Sequence, residues 1–274
     1  MPWLTPVWPA PANVRAVCST RDGGVSTGHY AGLNLGDHVG DQPSAVLNNR
    51  QYFAQALSVR PVFLRQVHGW NVTELAAHTP DGSAADAGTS LEPGIACTVM
   101  VADCLPVLFT RADGAMVAAA HAGWRGLLGQ GSYGVLEATF ERFKLYAQSQ
   151  LASAAINNVA NVGQQTPPDD SVLAWLGPCI GPQAFEVGAE VRAAFVQDDS
   201  ACDALFCALG GGKFLADLAG LARHRLQRLG FPLAHIYGND SSAAWCTVSN
   251  PSQFFSHRRD MGVSGRFAAS IWRV

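Results

Sequence analysis

The chain has 274 residues, 48% of them hydrophobic and only 14% charged, with a formal net charge of −3. That balance excludes a disordered polyampholyte, leaves ample apolar surface for a core, and gives no basic field for a nucleic-acid backbone. The opening MPWLTPVWPAPANVR lacks a basic start and an unbroken apolar run, no stretch reaches the roughly 18 apolar residues of a spanning helix, and the seven scattered cysteines suit free thiols; we expect a cytoplasmic protein off the membrane.

In chain order, residues 18 to 42 are dense in Gly, Asn, Asp and Ser, which predicts a long ordered loop or a set of tight turns. Ser44 is expected to cap a helix running to about Leu57, with Val46, Leu47, Phe53 and Leu57 as a partial apolar stripe. PVFLRQVHG reads as a strand ending near His68, and GIACTVMVADCLPVLF as one buried strand bent at Asp103–Cys104, or as two. AMVAAAHAGWRG predicts an apolar strand that delivers His121 into a tight turn, after which Leu127 to about Lys144 suits a helix.

Residues 147 to 171 carry no charge before Asp169 and are rich in Gln, Asn, Ala and Ser, the composition of a surface insertion. WLGPCIGPQAFEVG predicts a strand, a rigid Gly-Pro loop around Cys179, and a helix from Gln183 or Phe185 to about Val196. Lys213 to Leu229 reads as a further helix ended by Gly230 and Phe231-Pro232, and the tail closes with a strand. The whole is expected to be one catalytic domain of α/β type, with mixed sheets flanked by helices.

Three strand ends thus carry His68, Cys104 and His121, which lie too far apart in the chain for a zinc finger or ribbon. Three ligands of N, S and N type leave a fourth tetrahedral position for water, the arrangement of a catalytic zinc ion. The same residues suit a cysteine hydrolase with Cys104 as nucleophile, His121 or His68 as base and Asp103 as orienter. Spacing does not separate the two readings.

The blocks RQVHG at Arg65–Gly69, ADCLPVLF at Ala102–Phe109, HAGWRG at His121–Gly126, GPCIGPQAFEVG at Gly177–Gly188 and FFSHRRD at Phe254–Asp260 resemble the family long labelled "laccase domain" or polyphenol oxidase. STRDGGVS at Ser19–Ser26 and LNLGDHVGD at Leu33–Asp41 extend the resemblance over nearly the whole chain. Members of that family are described as zinc-containing purine nucleoside phosphorylases with adenosine deaminase activity. The resemblance therefore implies a layered α/β/β/α fold, Zn2+ held by His68, Cys104 and His121, and purine nucleosides and phosphate as substrates. A four-copper oxidase is not expected, because the eight histidines include no HxH pair for a trinuclear cluster.

Phosphorolysis needs donors for an anion. Arg125, in a turn expected to open a helix, is the first phosphate candidate and Arg65 the second, while Arg258 belongs to a basic cluster with His257 and Arg259. Trp124 and Phe185 are aromatics that can stack a purine. Two alternatives stay open: the hydrolase or amidase acting through Cys104, linked by some relatives to peptidoglycan editing, and a non-enzymatic zinc- or partner-binding protein.

Overall fold

The computed structural model describes residues 3–157 and 172–274. In chain order its elements begin with β1 (Val14–Cys18), α1 (Pro43–Leu57), β2 (Arg60–Phe63), β3 (Val72–Glu74), β4 (Ala87–Ser90), β5 (Ile95–Val101), β6 (Leu105–Arg111), β7 (Val117–Ala122), α2 (Trp124–Leu128) and α3 (Val135–Asn157). They continue with β8 (Val172–Leu176), β9 (Glu186–Gly188), α4 (Ala189–Asp198), β10 (Phe206–Gly210), β11 (Lys213–Ala216), α5 (Leu218–Arg228), β12 (Ile236–Gly238) and β13 (Phe267–Arg273).

Two sheets carry the architecture: a four-stranded sheet in the order β1-β13-β5-β2 and a six-stranded sheet in the order β12-β8-β6-β7-β4-β3. Their facing sides close over one apolar layer, in which Val62, Cys97, Val99 and Ile271 of the first sheet meet Leu108, Val117, Ala119 and Trp175 of the second. Phe53 and Leu57 of α1 cover the outer face of the four-stranded sheet. Phe140 and Phe143 of α3 and Leu221 and Leu226 of α5 cover the outer face of the six-stranded one. Each such buried side chain contributes about 1.5–3 kcal/mol of apolar burial, and the result is the layered α/β/β/α arrangement that the resemblance implied. A third, small sheet, β10-β11-β9, lies outside these two.

Uninterrupted burial explains the strands that lack alternation, since every residue of β5, β6 and β7 is buried. The segment around Asp103–Cys104 is two strands, and they belong to different sheets: β5 pairs with β13 and β2, β6 with β7 and β8. The backbone crosses between layers there, with Asp103 at φ 94.

Several expected boundaries move. The strand before His68 ends at Phe63, so His68 sits in the following loop. Ser44 does not cap α1; Pro43 opens it, and its fixed φ suits that first position. The helix expected over Leu127–Lys144 splits into α2 and α3, because Gly129 and Gly131 adopt φ 65 and 58. The buried Arg225 holds this break together, donating to Leu128 O at 3.0 Å, Glu137 Oε1 at 3.1 Å and Asp198 Oδ2 at 2.8 Å. The helix expected from Gln183 or Phe185 begins only at Ala189, and Lys213–Ala216 is a strand before α5 starts at Leu218 with Asp217 as its cap. In both places a short β segment joins the small sheet, and that pairing overrides helical propensity. Of the stretch 147–171, the part to Asn157 continues α3 and the remainder lies outside the described residues. Among the described residues no helix is long and apolar enough to cross a membrane.

Candidate metal centre

Adjacent strands β4, β7 and β6 bring the centre together. Pro106 of β6 is in register with His121 of β7, which places Cys104, just ahead of β6, beside His121. On the other side the His121 N–H donates to Asp86 O at 2.7 Å, and His121 Nδ1 meets Asp86 Oδ1 at 2.9 Å. The ring is thereby fixed with Nε2 free for the cleft, the usual arrangement in which a carboxylate orients a metal-ligating imidazole.

Asp86 is fully buried and also holds His68. Its carboxylate accepts the backbone N–H groups of Val67 at 3.3 Å, His68 at 2.9 Å and Gly69 at 2.7 Å. This cage explains how His68, a non-glycine residue, is kept at φ 60. Glycines let the two motifs interlock: a Cβ on Gly126 would come 2.6 Å from Gly69 O, and one on Gly123 would come 3.0 Å from Cys104 Sγ.

The Cys104 Sγ and His68 Nε2 atoms are 3.9 Å apart, and one donor atom from each of His68, Cys104 and His121 falls within 4.8 Å of the others. Zn–N and Zn–S bonds of roughly 2.1 and 2.3 Å place tetrahedral donors about 3.5 Å apart, so these three side chains fit a single small ion after slight contraction. Among the described residues this is the one cluster of three or more such ligands. Burial pushes the Cys104 thiol up, but the charge and hydrogen bonds of His121 and His68 more than reverse it and hold the thiol below its ordinary range. For His121, burial favours the neutral ring, and the Cys104 thiolate and Asp86 carboxylate outweigh it in the opposite direction. The site is therefore poised to present a thiolate, the form that binds metal.

Asp103 does not orient either histidine, contrary to the hydrolase reading. Its Oδ1 accepts from Thr247 Oγ1 at 2.5 Å and its Oδ2 from the Arg258 N–H at 2.6 Å, so it anchors the crossing that carries Cys104. The carboxylate on His121 is Asp86, which no motif in the sequence singles out.

A cleft of about 400 Å³ opens over the three ligands, within the size range of small-molecule sites. Arg125 and Arg258 line it, as do Trp124 and Phe185; Arg65 does not, and is exposed with its backbone bridged to Ala84. Arg125 lies over the Trp124 ring at 4.4 Å, and its helix α2 is only five residues long, too short for the anion-binding terminus expected there. Arg258 Nη2 donates to Glu186 O at 3.0 Å. Ile180 of the Gly-Pro loop and Leu218 add apolar wall, and the buried Cys179 faces Asn239 Nδ2 at 3.4 Å behind it. His38, His257 and Arg266 complete the polar lining; of these His38 and His257 lie in motifs of the sequence and Arg266 in none.

Two histidines and a cysteine that could hold a metal ion lie beneath a cleft lined by arginines, where two stacked sheets meet. The chain belongs to the family described as multi-copper polyphenol oxidoreductase laccase, whose match spans residues 15–274. It is similar to purine nucleoside phosphorylase YfiH of Escherichia coli, 45% identical over 273 residues and covering 99% of this chain and 98% of that one. A Pseudomonas aeruginosa relative, also named purine nucleoside phosphorylase, is 45% identical over 271 residues and covers 98% of each chain. The crystal structure of Neisseria meningitidis protein NMB0706 superposes with a TM-score of 0.82 at 42% identity, covering 100% of this chain and 99% of that one.

Proposed function

We propose that the chain is a cytoplasmic, single-domain, zinc-dependent purine nucleoside phosphorylase with adenosine deaminase activity. The observation that carries it is the union of the His68–Cys104–His121 cluster with a cleft whose lining is part aromatic and part cationic. The names of the relatives support the phosphorylase reading. The donor set supports zinc over copper. Met100 is the thioether near the site, yet it packs into the outer α1 layer and its Sδ lies 3.7 Å from Arg50 Nη2, so it supplies no axial ligand for an electron-transfer copper.

Bound zinc supplies Lewis acidity at the reacting centre. The chain's own residues do the rest: Trp124 and Phe185 receive the purine, and the arginines draw in phosphate. In phosphorolysis a phosphate oxygen bonds to C1′ of the nucleoside as the C1′–N9 bond breaks, and the base leaves with the electron pair and takes up a proton. The products from adenosine, inosine or methylthioadenosine are the free base and the corresponding ribose 1-phosphate. Deamination instead adds water at C6 and releases ammonia.

The test follows adenosine with and without phosphate. Adenine is expected only when phosphate is present, inosine in both buffers, and neither after chelation of the metal. Adenine release that survives complete metal removal would remove zinc from the phosphorolytic reading.

The chain Asp86–His121–Cys104 favours a second reading, a hydrolase with Cys104 as nucleophile, since it has the order of a thiol triad. Stoichiometric zinc in the purified protein decides for the first reading; a metal-free protein whose Cys104 is labelled by iodoacetamide decides for the second.

A further inference from the structure

We propose that Arg266, seconded by His38, is the seat of the anionic substrate, on the wall of the cleft opposite to the one that takes the purine. This rests on the phosphorylase reading and assigns within it a residue that the motifs did not mark.

The two walls come from different layers. Trp124, Ile180, Phe185 and Leu218 belong with the six-stranded sheet and its helices and offer apolar surface. Met100 and Arg266 flank the four-stranded sheet, at the ends of β5 and β13, and His38 joins them from the loop ahead of α1. The metal ligands lie at the seam between them.

Arg266 is built into place. Its backbone N–H donates to Asn34 Oδ1 at 2.8 Å, and Asn34 O in turn accepts from Asn49 Nδ2 of α1 at 2.9 Å. Its stem passes over Gly36, where a Cβ would come 2.7 Å from Arg266 Cγ. Nη1 donates to Ser264 O at 2.8 Å and Gly265 O at 3.0 Å, which fixes one edge of the guanidinium. The Nε and Nη2 edge has no hydrogen-bond partner, and no carboxylate forms an ion pair with this group, among the described residues.

Arg50 pairs with Asp37 at 3.1 Å, Arg111 with Asp113 at 3.0 Å, Arg225 with Asp198 at 2.8 Å and Arg259 with Asp260 at 2.8 Å. Arg21, Arg223 and Arg273 are half-buried and, like Arg266, form no ion pair among the described residues, but they donate to backbone carbonyls away from the cleft, whereas Arg266 lines it. A half-buried guanidinium left unpaired costs free energy that a bound anion recovers, and its fork matches two oxygens of a phosphate. The single carboxylate lining the cleft, Asp103, accepts from Thr247 and the Arg258 N–H and makes no hydrogen bond or ion pair with Arg266. The Gln66 amide is spent on the backbone of Met100 at 2.7 and 2.8 Å. His38 stands beside Asp37 at 3.4 Å, and Asp37 is itself held by Arg50.

The experiment compares Arg266→Gln, Arg266→Lys and Arg65→Gln in the metal-loaded full chain. It reads inorganic phosphate binding by calorimetry without nucleoside, then the KM values for phosphate and adenosine. Arg266→Gln is expected to weaken phosphate binding about tenfold or more, the loss of a charge-assisted pair, with Arg266→Lys intermediate, adenosine KM little changed, and Arg65→Gln like wild type. Should Arg266→Gln fail to fold, Arg266→Lys and His38→Gln carry the test, each weakening phosphate several-fold. Phosphate binding unchanged in the folded Arg266 variants, or a rise confined to adenosine KM, overturns the assignment. Wild type that binds phosphate through Arg266 yet cleaves no nucleoside would sink the phosphorylase reading and leave the anion seat standing. Phosphorolysis with an unaltered phosphate KM in Arg266→Gln would do the reverse.

Discussion

Cys104→Ala is expected to strip the purified protein of its metal and to abolish both nucleoside cleavage and deamination, while the chain stays folded. The thiolate is the soft, anionic member of the set; without it only the imidazoles of His68, on an exposed loop, and His121, on a buried strand, are left. Loss of an outer carboxylate typically lowers metal affinity 10–100-fold, and removal of a direct ligand exceeds that. The fold should tolerate the change, because Cys104 is half-buried at a strand end and its removal leaves a void no larger than one sulfur atom, costing on the order of 1 kcal/mol. Metal per chain by mass spectrometry, two activity assays and a thermal melt check this together. Full metal occupancy in the variant would show that the ligand set is wrong.

Asp86→Ala is expected to be the most damaging single change near the site. It removes the acceptor for three backbone N–H groups and for His121 Nδ1 at one stroke, in a place closed to water. A buried network that loses its central partner costs roughly 3–5 kcal/mol, since the remaining donors stay desolvated and unsatisfied. The φ 60 conformation of His68 would lose its restraint in the same step, so metal affinity should fall 10–100-fold even in molecules that remain folded. Urea denaturation of the metal-free protein reads the first effect, and a competitive zinc titration the second. An alanine variant with wild-type zinc affinity would mean that Asp86 positions nothing, whatever its effect on stability.

How much of this was legible in the sequence depends on what each residue answers to. His68, Cys104 and His121 stood out because rare ligand types closed short apolar runs, and the family resemblance named the same three. The apolar runs of β5, β6 and β7 were readable as buried strands for the same reason. That the chain changes sheets between β5 and β6 was not, because two fully buried strands look alike whichever sheet they enter. Asp86 was invisible: it stands in SAADAGTS, and its importance comes from four donors brought to it by folding. Nearness in sequence to His68 does not bring Arg65 into the cleft, because its backbone pairs with Ala84 and its side chain is exposed. Arg266 carries no local signal, because its place in the cleft depends on the fold that packs it over Gly36. The short strands β9 and β11 read as helix in the sequence because each is only three or four residues long and runs straight into a helix, and β9 finds its partner β11 some 25 residues further on.

The crossing at Asp103–Cys104 also bears on how the protein comes apart. His68 follows β2 of one layer, His121 belongs to the other, and Cys104 sits on the segment that joins them. An ion held by all three would act as a rivet through the sandwich, and the layers could not slide or part without releasing it. Occupancy then becomes a mechanical property of the molecule: at a free metal concentration of 100 times Kd the rivet adds about 2.7 kcal/mol against unfolding. Slow amide exchange in β5 and β6 alike should follow metal loading, although neither strand carries one of the three candidate ligands.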